Sequence, residues 1–163
     1  MGMTTFSGPV RSLAGFITGL DAYVPLTVAT KTLTPADNGT TTVVNYTGVG
    51  GILTLPAASA ENLGLTLNVQ FAATVNVGGY KIKTITNSPG DLFIGSLYLA
   101  ASGGAATLMV PNGTVDDVIN LNGGVTGGVA GSALTFICTA LNRWTVSGNL
   151  ICIGVPSSPF ASS

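Results

Sequence analysis

The sequence predicts an all-β chain: a single β-sandwich (jelly-roll-like) or a barrel of about ten short strands, with an irregular N-terminal arm. Apolar and polar residues alternate with period two, most clearly from Leu65 to Val77 and from Leu134 to Val146. Turn signals of Gly, Pro, Asn and Asp recur about every eight to twelve residues, the spacing of sandwiches and barrels. No alternation of strand and helix patterns supports an α/β fold, and no repeat of fixed period is evident. A length of 163 residues suits one domain. The chain is expected to comprise an arm over 1–22, a β-sandwich over 23–155 and a Pro/Ser-rich extended tail over 156–163.

The arm carries Phe6, Pro9, Val10, Leu13, Phe16, Ile17 and Leu20 without a strand period. A helical spacing from Leu13 to Leu20 is interrupted by Gly15 and Gly19, each costing ~1 kcal/mol relative to Ala. The β pattern starts at Tyr23. Thr41 to Tyr46 and Gly51 to Leu55 read as strands flanking Thr47-Gly48-Val49-Gly50. Pro56 stops the second, and Ala57 to Gly64 reads as a helical turn with Ser59 and Glu61 near its start. Leu65, Leu67, Val69 and Phe71 share one face, and the parity continues to Val77. That span exceeds the usual ~5–6 residues of a strand, so a bend at Ala72-Ala73 or a crossing between sheets is expected. Gly78-Gly79 reads as a two-residue hairpin turn, with Tyr80 and Ile82 returning on the partner strand.

Asn87-Ser88-Pro89-Gly90-Asp91 is a dense turn signal. Leu92 to Ile94 and Leu97 to Leu99 are expected as short strands around a bulge or corner at Gly95. Strands at Thr107 to Val110 and Val118 to Leu121 follow, separated by Pro111-Asn112-Gly113. The glycine run Gly123 to Gly131 then leads into a hairpin. Leu134, Phe136 and Cys138 fall on one parity, and Trp144 and Val146 answer them beyond the turn Ala140-Leu141-Asn142. Phe136, Trp144 and Val146 are the expected core, with Trp144 placed opposite Phe136. A last strand is read at Leu150 to Ile153.

Only 7% of residues are charged, against about 25% in ordinary soluble domains, while 46% are hydrophobic and 23 are Gly. Polar faces covered by hydroxyls and amides suit a module embedded in an assembly, where ions would lose hydration on burial. The five basic residues, Arg11, Lys31, Lys81, Lys83 and Arg143, form no cluster, so nucleic acid is not an expected partner. Lys81 and Lys83 read as a solvated strand edge that discourages aggregation. No apolar run approaches the ~20 residues that span a bilayer, and the N-terminus lacks the basic region of a signal peptide. Neither membrane contact nor secretion is therefore expected.

The chain has no histidine, which removes Ser-His and Cys-His catalysis and the commonest metal ligand. Cys138 and Cys152 sit inside apolar strand patterns and read as small buried hydrophobes rather than a disulfide. The carboxylates Asp21, Asp37, Glu61, Asp91, Asp116 and Asp117 fall at turns, where Asp bonds to nearby backbone. Asp91 with Asp116 or Asp117 is the only pair a glycosidase could use, and calcium at Asp116 and Asp117 has no loop motif behind it. No enzyme activity, cofactor or metal is expected. The glycine run lacks the Lys-Ser/Thr of a phosphate loop and opens a strand, not a helix. It reads as a place of close backbone approach, within the subunit or across a symmetric interface. Gly124, Gly127 and Gly128 are the candidates for a subunit interface. Trp144 as a sugar-stacking platform is the weaker alternative to Trp144 as core.

The succession LTLPAASAENLGLTLNVQF, NSPGDLFIG and LNGGVTGGVAGSALTFICTALNRWTVSGNL resembles a group of small bacteriophage virion proteins. The shared pattern is an LPAA segment, an alternating strand, a GD-x-x-x-G turn, and a glycine run before a Trp-x-Val-Ser-Gly hairpin. The segment TTFSGPVRSLAGF resembles the leading arm of proteins found with phage capsids. The resemblance spans residues 4 to 148. It implies a capsid decoration (cement) protein on the outer surface of an icosahedral head, a homotrimer that bridges neighbouring capsomers and binds the major capsid protein. Phe6, Pro9, Arg11 and Phe16 are the capsid-contact candidates, because aromatic residues and Arg dominate interfaces. The alternative is a head-fibre or tail-fibre module that binds a host-surface glycan or protein.

Overall fold

A computed structural model describes residues 23–76, 78–85 and 90–163. Its strands are β1 (Tyr23–Leu26), β2 (Thr30–Thr32), β3 (Thr41–Val44), β4 (Gly51–Thr54), β5 (Thr66–Phe71), β6 (Tyr80–Lys83) and β7 (Leu92–Gly95). They continue with β8 (Leu97–Ala101), β9 (Ala106–Met109), β10 (Val118–Leu121), β11 (Ala133–Ala140), β12 (Arg143–Cys152) and β13 (Phe160–Ala161). The only helical pieces among the described residues are 3-10 turns at Pro35–Asp37 and Ala60–Asn62. The protein is all-β, as its periodicity requires. An eight-stranded sheet runs β1-β3-β5-β11-β12-β8-β9, with β7 also on β12, and a five-stranded sheet runs β13-β10-β6-β4-β2.

The first half is a coil rather than a set of hairpins. β1, β3 and β5 are parallel neighbours in the larger sheet, and β2, β4 and β6 are parallel neighbours in the smaller one. The chain therefore gives one strand to each sheet per turn, for three turns. Parallel neighbours need a long connection between them. Here that connection is the strand of the opposite sheet. The registers Tyr23↔Thr41↔Asn68 and Thr30↔Ile52↔Lys81 are unevenly spaced, so the coil leaves no fixed repeat in the sequence.

Two local expectations change accordingly. β5 stops at Phe71, and the N–H groups of Ala72 and Ala73 both turn onto Val44 O, at 2.9 and 3.4 Å. The chain leaves the larger sheet there, so the long alternation ends in a crossing. Gly78-Gly79 is then not a hairpin turn, because β5 and β6 lie in different sheets. Lys81 and Lys83 likewise sit on β6, the middle strand of the smaller sheet; the lysine on that sheet's β2 edge is Lys31, 3.6 Å from Asp37. The jelly-roll variant of the prediction, which is antiparallel throughout, gives way to mixed sheets.

The second half is largely antiparallel. β11 and β12 form the expected hairpin, with Asn142 at φ 58° in its turn and a register shift between Cys138 and Ala140. In this register Trp144 faces Cys138, and Phe136 faces Val146, so the sequence-based pairing of Trp144 with Phe136 is off by one pair. The strand expected at Leu150 is the far part of β12, which continues through Gly148. β7 and β8 follow one another along β12 in parallel. Gly95 separates them at φ 102°, where an added Cβ would strike Val146 O, so the site tolerates only glycine. The 156–163 tail closes the smaller sheet: β13 pairs with β10, and the buried Asp117 carboxylate accepts bonds from Ser163 N and Oγ, each 2.7 Å.

One core fills the space between the sheets. Leu53, Ile82, Ile119 and Leu121 meet Leu67, Val69, Phe136, Trp144, Val146 and Leu150, all buried. Phe136, Trp144 and Val146 are 0% exposed. At about 1.5–3 kcal/mol per large side chain, this burial is the main force holding the sheets together.

Candidate functional site

The coil gives the sandwich two distinct ends. Connections from the smaller sheet to the larger, at 33–40, at 55–65 and, in the described residues of the third, at 84–85 and 90–91, lie at one end with the hairpin turn Leu141-Asn142. Connections in the other sense, at 27–29, at 45–50 and, in the described residues of the third, at 72–76 and 78–79, lie at the opposite end, beside the glycine run and Ile153.

At the first end the three motifs behind the phage resemblance interlock. Pro56 O of the LPAA segment accepts the Trp144 indole N–H at 3.2 Å. Ala58 N donates to the Asp91 carboxylate at 2.8 Å, and Ala58 O accepts from Asn142 N at 2.8 Å. Leu92 N in turn donates to Asn142 O at 3.1 Å. Asp91 is only 3% exposed, and its backbone carbonyl receives the Thr84 hydroxyl at 3.0 Å. This is a structural lock. Trp144 has no open face, so the sugar-stacking alternative does not stand.

Asp116 and Asp117 also serve the fold. Asp116 accepts from Asn112 N at 2.6 Å, and Asp117 holds Ser163. Among the described residues no three Cys, Asp or Glu side chains are grouped to hold a metal. Cys138 and Cys152 are buried and unbridged. Cys138 is paired with Trp144, and Cys152 ends the same strand eight residues further on, about 27 Å at ~3.4 Å per residue. A bond between them is out of reach. Burial, and secondarily the Asp91 charge, pushes the Cys138 thiol above its ordinary value. Burial likewise raises Cys152, against the lowering effect of a backbone hydrogen bond.

The glycine run belongs to the second end, and the close approach it permits is made within the chain. Gly127 and Gly128 are buried, at φ 92° and 94°, with Leu150 against the first and Val75 and Leu121 against the second. That leaves them no surface for a neighbouring subunit. Gly124 is half-buried, and its carbonyl accepts from Ile153 N and Gly154 N. Asn122 organises the run: its side-chain oxygen accepts from the N–H groups of Gly124, Val125 and Thr126 at 2.9, 2.9 and 3.1 Å. Phe6, Pro9, Arg11 and Phe16 lie outside the described residues.

Two clefts open at this end. One, about 350 Å³, lies across β4, β6 and β10, where Gly51, Tyr80 and Leu121 stand abreast, and Thr126 closes it. The other, about 360 Å³, is lined by Thr47, Thr74, Val75, Asn76 and Ile153 and shares Asn122 with the first. Tyr80 is 1% exposed, and burial raises its phenol well above the ordinary value. Sequence reading missed the clefts, because a crossing between sheets assembles them from three distant loops.

A third surface lies at the β9 edge of the larger sheet, where no further strand is paired among the described residues. Tyr98 of β8 and Leu108 of β9 are cross-strand partners on the outer face, 57% and 51% exposed, and Val110 continues that face at 64%. Neither strand contains a charged residue. Edge strands are usually guarded by charge or proline, and β9 has neither.

Comparison with known protein families, with curated proteins and with solved structures finds no match.

Proposed function

We propose that this chain is a structural virion protein that decorates and cements an icosahedral phage head, acting as a homotrimer that bridges neighbouring capsomers. The observation that carries the reading is the uncharged apolar edge at β8 and β9. Tyr98, Leu108 and Val110 offer a neighbour apolar contact beside β9, which among the described residues is the last strand of its sheet. The low charge of the whole chain points the same way, since few ions lose hydration on assembly. The phage-like arm over 1–22 precedes β1, the opposite edge of the same sheet, and supplies the capsid contact through Phe6, Pro9, Arg11 and Phe16. Three arms on one trimer raise each other's local concentration, so weak single contacts suffice.

Sedimentation of the recombinant chain tests the assembly. A trimer is expected, and Tyr98→Lys with Leu108→Lys should yield folded monomers; a trimer indifferent to both would remove the edge from the reading. Deleting residues 3–20 should leave the trimer intact but unable to bind heads. On purified particles, a copy number in proportion to the major capsid protein is expected. A handful per particle would indicate a fibre module instead.

A further inference from the structure

We propose that the crossing end of one copy is the seat for the β9 edge of the next copy, so that the assembly is a ring of edge-on-end contacts. This rests on the homotrimer reading and names the surface that answers Tyr98, Leu108 and Val110. A ring of three identical chains needs two different patches on each chain, because a patch that fits itself gives only pairs.

Charge marks the second patch. The segments that build the crossing end, 27–29, 45–50, 72–76, 78–79, 102–105, 122–132 and 153–158, contain no Asp, Glu, Lys or Arg. The stretch from Leu92 to Val115, which holds β8 and β9, is equally free of charge. The hairpin end carries Asp37, Glu61 and Arg143, none of them buried. Edge and crossing end can thus lose water without stranding an ion, and the hairpin end cannot. The crossing end also presents apolar side chains. Val125, Ile153 and Val155 are 37, 68 and 81% exposed, and Val155 is the most exposed large apolar residue among those described. They form a fixed cluster: Ile153 N and Gly154 N donate to Gly124 O at 2.9 and 2.8 Å, and Ser157 N to Val125 O at 2.9 Å. Contiguous exposed apolar groups mark an interaction surface, where scattered single ones do not.

The two patches adjoin. Ser102, in the turn between β8 and β9, donates its N–H to the carbonyl of Cys152, the residue before Ile153, at 2.8 Å. The edge faces sideways from the sheet, whereas the end faces along the strands. A copy seated edge-on-end is therefore rotated relative to its neighbour, and such rotation lets a head-to-tail contact close. Patches on opposite sides would stack into a filament instead.

The test is thiol cross-linking of the full chain with a short bis-maleimide, since the native Cys138 and Cys152 are buried. Leu108→Cys and Val155→Cys chains, co-expressed, should give linked pairs, and neither variant alone should link. Linkage of Leu108→Cys to itself would mean edge-to-edge pairing, and an unlinked mixture would mean that the two faces do not meet; either overturns the proposal. Sedimentation supplies an independent readout. Ile153→Lys with Val155→Lys, at sites exposed enough to leave the single chain folded, should convert trimer to monomer. Mixed in equal amounts with the Tyr98→Lys, Leu108→Lys chain, it should form pairs, because one chain keeps its edge and the other its end. A trimer that persists in the end variant would overturn this contact and leave the homotrimer standing, whereas a monomeric wild-type chain would remove both.

Discussion

The two ends of the sandwich are built from the same kinds of connection and do opposite things with their polar groups. At the hairpin end, Pro56, Ala58, Asp91, Asn142 and Trp144 bind one another in a closed set, which joins the LPAA segment, the Gly90-Asp91 turn and the hairpin turn. At the crossing end, glycine replaces side chains, two clefts open, and two hydroxyls are left over. The hairpin end is the one committed to folding. Its motifs are specific because the bonds between them are, and they carry little information about ligands.

Replacing members of each end should separate the two roles. The largest effect belongs to Trp144→Ala. It empties a fully buried site and orphans Pro56 O, at a cost of about 3–5 kcal/mol, a large share of the 5–15 kcal/mol that hold a domain. Denaturant melts should show it as a lower midpoint, and a loss under 1 kcal/mol would contradict the lock. Asp91→Ala should follow at about 1.5–3 kcal/mol, the range for hydrogen bonds to a buried charge.

Alkaline pH bears on both ends. The native state holds the Cys138, Cys152 and Tyr80 protons more tightly than the unfolded chain does. This stability is fully present below the ordinary thiol value of 9.0 and is lost as pH rises through the raised native values. Each titrating group then removes at most about 1.4 kcal/mol per pH unit. Cys138→Ala with Cys152→Ala should shift the onset of the decline toward the tyrosine range, as read from melting midpoints against pH. Asn122→Ala is the smallest change, about 1 kcal/mol, because the three N–H groups it frees lie beside open clefts and find water. Hydrogen exchange should quicken at Gly124, Val125 and Thr126 and stay unchanged around Trp144, whereas Asn122→Asp keeps the acceptor and the protection.

Period-two alternation was enough to place most strands. Val118–Leu121 falls where read, and the Leu134-Phe136-Cys138 and Trp144-Val146 faces are inward, because a half-buried strand must alternate. The 3-10 turn at Ala60–Asn62 was visible from Pro56 and Ser59. Strand partners were not. Gly78-Gly79 has the chemistry of a hairpin turn, yet β5 finds β3 and β11 beside it while β6 finds β4 and β10. Nothing local distinguishes a turn back into one sheet from a passage to the other.

The chain by itself thus determined the strand class, the inward faces and the apolar core around Trp144, since these follow from short-range periodicity and the burial of apolar surface. Only the tertiary structure decided that successive strands wind between two sheets, that the glycine run packs on its own subunit, and that Tyr80 and Thr126 line one cleft. Those outcomes depend on which distant segments pair, and pairing is settled by the packing of the whole core, in which residues far apart in sequence become neighbours.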